Sequence, residues 1–246
     1  MQRYDAATAE AAMLWEKRFR DRNEAGRLLA QEVSRHISDR ANTIVLALPR
    51  GGVPVGHEVA RALGVPFDVF IVRKLGVPGH EELAMGAIAS GGVRVLNNDV
   101  LRHIPVAQQA IDAVASREQD ELERRERSYR GARPPLDVQG KSVIVVDDGL
   151  ATGSTMRAAV RALRSMGAAR VIVAVPVAAP ETCNDLGTEV DDIICLRTPS
   201  PFEAVGLWYE DFTQTTDEEV HALLRRDSEV EKAAHVAEDS DLRPGD

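Results

Sequence analysis

Short apolar runs alternate with stretches of helical periodicity along most of this chain. Five runs are rich in Val, Ile, Leu and Phe and too short for helices, and they cover residues 43–48, 67–72, 143–146, 171–175 and 192–196. Apolar positions at helical spacing predict helices over residues 24–38, 54–63, 106–129, 155–166 and 179–186. Strands that alternate with helices predict an α/β fold with a doubly wound, mostly parallel, five-stranded sheet.

A glycine-rich segment breaks this alternation between the second and third predicted strands. Within it, residues 87–90 and 93–96 are short β-like pieces on either side of Gly91-Gly92. Paired glycines between short strands are typical of a hairpin turn, because glycine tolerates the positive φ angles that tight turns require. The sequence therefore predicts a β-hairpin here.

The composition of the chain argues against several classes of protein. The formal net charge of −9, from 39 acidic and 30 basic residues, makes a non-specific nucleic-acid binder a poor candidate. The chain has no apolar run of about 18 residues, and its first ten residues lack a signal-peptide pattern. Two cysteines, Cys183 and Cys195, are too few for a disulfide scaffold. We expect both to be core residues without redox function. We expect a cytoplasmic protein that binds neither nucleic acid nor a membrane.

The acidic charge is concentrated at the end of the chain. Residues 227–246 contain seven acidic and two basic residues and few large apolar side chains. Such a segment cannot bury enough surface to offset the entropy lost on ordering. We therefore expect one folded domain over residues 1–226 and a disordered acidic tail over residues 227–246.

The string VIVVDDGLATGST, which begins with the third predicted strand, carries the strongest chemical signal. Its apolar residues lead to two adjacent carboxylates, Asp147 and Asp148, and a turn rich in Gly, Thr and Ser then opens a helix. Backbone N–H groups and hydroxyls at such a turn can bind a phosphate. The carboxylates can accept hydrogen bonds from vicinal ribose hydroxyls or hold a hydrated magnesium ion. A helix cap with Asp turn formers would explain only part of this string.

This string resembles the phosphoribosyl pyrophosphate (PRPP) motif of type I phosphoribosyltransferases. The order of elements is similar over roughly residues 20–215, and the strings PRGG, RKLG and AVGLWYEDF together resemble one subfamily of these enzymes. The resemblance implies a doubly wound α/β fold with a flexible β-hairpin over residues 75–97. It also implies a small hood formed by about residues 1–40 and 197–215.

The resemblance implies roles for residues at the strand ends. Asp147 and Asp148 match the acidic pair that holds the ribose hydroxyls. The 5-phosphate loop matches Ala151, Thr152, Gly153, Ser154 and Thr155. The pyrophosphate-binding positions match Arg50, Gly51, Gly52, Arg73 and Lys74. The two glycines of PRGG would allow close backbone approach to an anion, and the arginine would add a fork of donors.

Two further groups are candidates for handling the acceptor. The hairpin contains titratable side chains that could act on it, namely His80, Glu81 and Glu82. The predicted hood contains aromatic side chains that could stack on it, namely Phe202, Trp208 and Tyr209. Solvated loop charges are the alternative for the first group, and hood packing or a dimer contact is the alternative for the second.

The implied reaction is displacement of pyrophosphate from the ribose anomeric carbon of PRPP by a nitrogenous acceptor, which we expect to be a nucleobase. Magnesium would bind through PRPP, with Asp147 and Asp148 as further candidate ligands. Ala151 stands where 6-oxopurine enzymes of the family usually have an aspartate, which argues against guanine and hypoxanthine. The family resemblance also implies a homodimer. A PRPP-sensing regulatory protein without turnover and a sugar-phosphate hydrolase remain alternatives.

Overall fold

The computed structural model describes residues 18–131 and 133–226, so the predicted acidic tail and the first part of the predicted hood lie outside the described residues. The strands are β1 (Thr43–Ala47), β2 (Phe67–Val69), β3 (Val72–Val77), β4 (His80–Ala89), β5 (Val93–Leu96), β6 (Ser142–Val146), β7 (Arg170–Val177) and β8 (Asp192–Arg197). The helices are α1 (Arg22–His36), α2 (Gly52–Leu63), α3 (Asn98–His103), α4 (Gln108–Arg130), α5 (Ser154–Ser165), α6 (Pro180–Gly187) and α7 (217–226).

The main sheet has five parallel strands in the order β2-β1-β6-β7-β8. Because all five strands run parallel, their carboxyl ends lie at one edge of the sheet. Strands are added to one side of β1 and then to the other, so the strand order reverses between β1 and β6. These two strands are adjacent in the sheet but far apart in sequence. The predicted fold class is confirmed, and the loops that follow β1 and β6 must lie side by side.

Both faces of the main sheet are covered, which is why its strands are continuous apolar runs. In β6, Ile144 packs into the core beneath α1, α2, α4 and α7, whereas Val145 packs into the core beneath α5 and α6. Both side chains are completely buried. Successive side chains of a strand point to opposite faces, so a strand covered on both sides needs apolar residues at every position.

A second, antiparallel sheet has the order β3-β4-β5 and packs between α4 and α5. The predicted hairpin around Gly91-Gly92 is confirmed as the connection of β4 to β5. The predicted strand over residues 67–72 is wrong as a single element, because β2 ends at Val69 and Val72 begins β3 in the other sheet. Apolar composition reports burial but does not say which sheet a residue joins.

The start of the described chain meets the segment that follows β8 above the carboxyl edge of the main sheet. Phe19 pairs with Tyr209 in a parallel bridge, and their rings lie 5.5 Å apart. Val177 of β7 packs beneath both rings. The start of α1 and the segment around Tyr209 therefore form one small cap over the strand ends. Within the described ranges, no helix is both long enough and apolar enough to cross a membrane.

The two cysteines are joined in a disulfide between α6 and β8. Cys183 and Cys195 are 12 residues apart in sequence, and the turn from α6 into β8 brings them together. The expectation of two separate core thiols is therefore wrong. A count of two cysteines gives no sign that the topology places them side by side.

We expect removal of this disulfide to lower the free energy of unfolding by about 3 kcal/mol, because cross-linking a loop of this length restricts the unfolded chain. Urea unfolding of the oxidised chain should show a higher midpoint than unfolding in the presence of a thiol reductant. The Cys183→Ser/Cys195→Ser variant should match the reduced chain and respond to no reductant. Equal midpoints for oxidised and reduced wild-type chain would contradict this prediction.

Candidate functional site

An acidic pair lies at the carboxyl end of β6, beside the loop that follows β1. A Cβ atom added to Gly51 would lie 2.0 Å from Asp148 Oδ2, and one added to Gly52 would lie 2.9 Å from Asp147 Cα. The Pro49–Arg50 peptide bond that opens this loop is cis. Glycine is needed at both positions because the loop backbone packs directly on the acidic pair. The structure thus brings together two motifs that lie almost 100 residues apart in sequence.

The acidic pair is largely shielded from solvent. Burial and the negative charge of Asp148 raise the pKa of Asp147 well above its usual range. Burial also raises the pKa of Asp148, and the guanidinium of Arg22 opposes that rise. Arg22 donates from Nε to Asp148 Oδ2 at 2.9 Å and also places Nη2 2.8 Å from the same oxygen. The site therefore holds two carboxylates and one buried cation.

Sequence reasoning missed Arg22. It is the first residue of α1, where an arginine in an amphipathic helix gives no local sign of burial. Its partner Asp148 lies 126 residues further along the chain. Only the cap formed by the start of α1 and the segment around Tyr209 places them in contact.

The predicted 5-phosphate loop leads directly into α5. Gly153 adopts a left-handed conformation with φ of 67°, and the helix begins at Ser154. Thr182 of α6 donates from its hydroxyl to the Ala151 carbonyl at 2.5 Å, and Arg157 donates to the Thr152 carbonyl at 2.9 Å. These bonds engage the carbonyls of Ala151 and Thr152. The Ser154 N–H lies 3.5 Å from the Thr152 hydroxyl, and the N–H groups that follow it at the start of α5 can bind an anion.

The two basic residues of β3 lie on opposite faces of the second sheet. Lys74 places Nζ 3.2 Å from the Ser154 hydroxyl at the start of α5. Arg73 instead donates twice to Glu118 Oε2 of α4, at 2.9 and 2.7 Å. Alternation along a strand requires this separation, since α4 and α5 cover the two faces. The resemblance assigned both residues to the pyrophosphate, whereas the structure brings Lys74, and not Arg73, to the predicted 5-phosphate loop.

We expect Lys74→Met to weaken PRPP binding about 10-fold, because a charge-assisted contact to a bound phosphate is lost. Arg73→Met is the matched control, since it removes an adjacent positive charge that faces α4. Isothermal titration with PRPP and magnesium measures both affinities. Equal losses for the two variants would mean that Lys74 has no special position at the site.

Arg50 extends from the glycine loop toward α4 and α7. Its Nη1 lies 3.6 Å from Asp217, and the Tyr129 hydroxyl donates to the same carboxylate at 2.5 Å. Burial and this hydrogen bond raise the pKa of Tyr129 to about 12. These side chains, with Arg124 and Arg125, line a polar cavity of about 140 Å³. Sequence reasoning assigned no role to Tyr129 or Asp217.

The hairpin candidates lie at the start of β4, just after the β3–β4 turn. His80, Glu81 and Glu82 are exposed and line a shallow depression with Leu83 and Ile104. Among the described residues, no hydrogen bond or ion pair links these three side chains to the acidic pair. Their role in handling an acceptor stays a prediction.

The three predicted aromatic candidates differ in their surroundings. Tyr209 is buried and donates from its hydroxyl to the Asp148 carbonyl at 2.7 Å, and burial raises its pKa. Phe202 and Trp208 are half-buried and pack against the cluster around Tyr209. Phe212, which the sequence did not single out, is more exposed, and the Arg22 guanidinium lies 4.0 Å from its ring centre. Tyr209 thus supports the backbone of the acidic pair.

The acidic pair offers oxygen ligands of the kind that magnesium prefers. No group of three or more His, Cys, Asp or Glu side chains within residues 18–131 and 133–226 could hold a metal ion. Two adjacent carboxylates therefore fit a magnesium ion whose remaining ligands are water or the oxygens of a bound ligand. A diphosphate would supply them.

Comparison with known proteins agrees with this geometry. A Mycobacterium tuberculosis protein named as a phosphoribosyl transferase is 46% identical over 230 residues, covering 92% of this chain and 52% of the relative. The chain therefore spans about half the length of that relative. The bifunctional protein PyrR of Chloroflexus aurantiacus is 35% identical over 129 residues, covering 51% of this chain and 65% of that protein.

A solved structure and a family profile extend the comparison. The crystal structure of TT1426 from Thermus thermophilus is 44% identical, with a TM-score of 0.77, and the match covers 84% of this chain and 97% of that chain. The phosphoribosyl transferase domain matches residues 16–199, which include β1 to β8, the glycine loop, the acidic pair and the predicted phosphate loop. The chain belongs to the phosphoribosyl transferase domain family.

Proposed function

We propose that this protein transfers the ribose 5-phosphate group of PRPP to a nitrogenous acceptor and releases pyrophosphate. The observation that carries the proposal is the convergence of three elements at one sheet edge. These are the acidic pair after β6, the glycine loop that packs on it, and the phosphate loop with Lys74 at its side. Membership of the phosphoribosyl transferase family supports the same conclusion.

Each part of PRPP has a complementary group in this arrangement. The N–H groups at the start of α5 and the Lys74 ammonium suit the 5-phosphate. The carboxylates of Asp147 and Asp148 suit the ribose hydroxyls, because an ionised carboxylate is a strong acceptor. The backbone of Gly51 and Gly52 suits the pyrophosphate, since nothing but hydrogen projects from their Cα atoms.

Asp147 and Asp148 would also hold magnesium together with the oxygens of PRPP. The ion would neutralise charge on the departing pyrophosphate. The carboxylates themselves hold the ribose in place, and their negative potential lies near the anomeric carbon. That potential favours the positive charge which the sugar ring develops as the bond to pyrophosphate breaks.

In the transfer, the bond between the anomeric carbon and the pyrophosphate oxygen breaks, and its electron pair leaves with pyrophosphate. The lone pair of the acceptor nitrogen forms the new bond to the same carbon. The protein contributes position and electrostatics to this exchange. Closure of the second sheet over the site would exclude water, which would otherwise compete as the nucleophile.

We propose a nucleobase as the acceptor. The cap near Asp148 contributes apolar and aromatic side chains, among them the half-buried Phe202 and Trp208, on which a planar ring could stack. Ala151 at the phosphate loop argues against guanine and hypoxanthine, as the sequence pattern of the family implies. Adenine, uracil and orotate are the acceptors to compare with these two bases and with xanthine, which is also a 6-oxopurine.

Phosphorus NMR of the full chain with PRPP and magnesium tests the proposal. The panel contains adenine, guanine, hypoxanthine, xanthine, uracil and orotate, each added separately. A pyrophosphate signal that grows only with one base would support the transfer and identify the acceptor. The Asp147→Asn/Asp148→Asn variant, purified in the same way, should give no such signal. PRPP binding without base-dependent turnover would contradict transfer to these six bases and would favour the regulatory alternative or an acceptor outside the panel.

A further inference from the structure

We propose that Arg22 is a positioning residue for Asp148: by binding one oxygen of that carboxylate, it fixes which oxygen the acidic pair offers to the ribose of PRPP. This inference rests on the proposed function, because it assigns the ribose to Asp147 and Asp148. It adds a residue from α1, outside the string that carries the PRPP motif.

Arg22 is held from several sides. Its Nε and Nη2 atoms lie 2.9 and 2.8 Å from Asp148 Oδ2, and Nη1 donates to the Thr213 carbonyl at 2.8 Å. Its guanidinium also stacks on Phe212, at 4.0 Å from the ring centre. The side chains of Arg22 and Asp148 are only 10% and 15% exposed. A planar, immobilised guanidinium binds a carboxylate in a defined direction, which a solvated surface pair does not.

The glycine loop also packs against this carboxylate. A Cβ atom on Gly51 would lie 2.0 Å from Asp148 Oδ2 and 3.2 Å from Oδ1, so Oδ2 is the oxygen nearer to the loop. Arg22 and the Gly51 backbone therefore both restrict Oδ2. The carboxylate cannot exchange its two oxygens without breaking the contacts to Arg22.

The acidic pair then presents one oxygen from each residue. Asp147 Oδ1 accepts the Asp148 N–H at 2.9 Å, and Asp148 Oδ2 is bound by Arg22. In the part of the chain that the structure describes, no hydrogen bond reaches Asp147 Oδ2 or Asp148 Oδ1. Two available oxygens on adjacent residues match two vicinal hydroxyls, each of which donates one hydrogen bond.

The positive charge of Arg22 also stabilises the two adjacent carboxylates before a ligand binds. Two adjacent carboxylates shielded from water repel each other, and a buried charge without a partner is costly. Arg22 compensates one of the two negative charges without approaching the phosphate loop. An ion pair that served only to stabilise the packing of α1 against the cap would not require Asp148 as the partner of Arg22.

A double-mutant cycle on the full-length chain tests this role, with ribose 5-phosphate as the titrated ligand. We expect Arg22→Met to weaken ribose 5-phosphate binding about 10-fold, because Asp148 loses its fixed orientation. In an Asp148→Asn background, Arg22→Met should cause less than about a 2-fold further loss, since the carboxylate that it positions is already gone. Arg22→Lys should recover part of the affinity, as it restores the charge but not the fork.

The matched control is Arg27→Met on the same helix. Arg27 is more exposed and lies 3.5 Å from Glu58, away from the acidic pair, so its loss should leave the affinity unchanged. Additive losses for Arg22→Met and Asp148→Asn, or an unchanged affinity of Arg22→Met, would overturn the positioning role. Urea unfolding of each variant separates loss of fold from loss of affinity, and Arg22→Lys provides the test if Arg22→Met does not fold.

Failure of the proposed function gives a different result. If the wild-type chain bound neither PRPP nor ribose 5-phosphate, the assignment of the ribose to the acidic pair would be wrong, and the role of Arg22 with it. If the wild-type chain bound both and the cycle were additive, the proposed function would stand and only the role of Arg22 would fall.

Discussion

Replacing Asp147 and Asp148 together by asparagine is expected to abolish measurable PRPP binding and to leave the thermal unfolding midpoint within a few degrees. Each hydrogen bond to a charged acceptor is worth about 1.5–3 kcal/mol, so loss of both carboxylates corresponds to about a 10²- to 10⁴-fold loss of affinity. Asparagine has nearly the same shape as aspartate, so packing is kept. The variant also removes the repulsion between the two carboxylates, which offsets the loss of the partner of Arg22.

A second pair of adjacent aspartates provides the matched control. Asp191 and Asp192 lie at the start of β8, at the edge of the sheet opposite to the site, where they bind Val171 N–H and His36. Asp191→Asn/Asp192→Asn removes the same charge and should retain the wild-type affinity for PRPP. Calorimetric titration and thermal unfolding of both double variants test the assignment. Wild-type affinity in the Asp147→Asn/Asp148→Asn variant would show that the acidic pair does not hold PRPP.

The sequence predicted the structure best where one continuous segment of the chain contains all the residues of a motif. The run from Val143 to Thr155 contains a buried strand, the acidic pair and the start of a helix, and the structure has each of them in that order. Continuous apolar runs also predicted the five strands of the parallel sheet, because strands covered on both faces contain little else. The fold class placed the carboxyl ends of all five strands at one edge, but the adjacency of β1 and β6 is known only from the structure.

The parts that could not be predicted depend on contacts between distant segments. Arg22 meets Asp148, and Thr182 meets Ala151, only because the cap and α6 close over the strand ends. No periodicity in the sequence reports such a contact. The pairing of Cys183 with Cys195 is a further example, since it depends on how α6 turns into β8.

The alternation of side chains along a strand would have been enough to assign Arg73 and Lys74 of β3 to opposite faces of the sheet. Arg73 and Lys74 are adjacent, so a strand must direct them to opposite faces. Sequence reasoning treated them as one basic position, because residues 73–77 were not predicted to form a strand and Val72 was assigned to the preceding run. The structure directs Lys74 to Ser154 and Arg73 to Glu118.

Gly51→Ala is expected to weaken PRPP binding at least about 100-fold, because the new methyl group would occupy the position of the Asp148 carboxylate. The added Cβ would lie 2.0 Å from Asp148 Oδ2 and 2.7 Å from Cγ, and these atoms must move. Gly51 has φ of −59° and ψ of −36°, so alanine fits the backbone without strain. The side chain of Asp148 can rotate away, but it then leaves Arg22. The fold should survive, with a loss of about 1–3 kcal/mol in the free energy of unfolding.

Gly52→Ala distinguishes damage to the site from damage to the fold. Its added Cβ would lie 2.7 Å from the Val146 carbonyl oxygen and 2.9 Å from Asp147 Cα, which are backbone atoms that cannot rotate away. We therefore expect Gly52→Ala to lose more stability than Gly51→Ala in urea unfolding. Gly187→Ala is a milder control, because its Cβ would meet only an Ile193 methyl group at 3.2 Å, and its PRPP affinity should stay near that of wild type. If Gly51→Ala bound PRPP as tightly as Gly187→Ala, the glycine loop and Asp148 would not form one binding site.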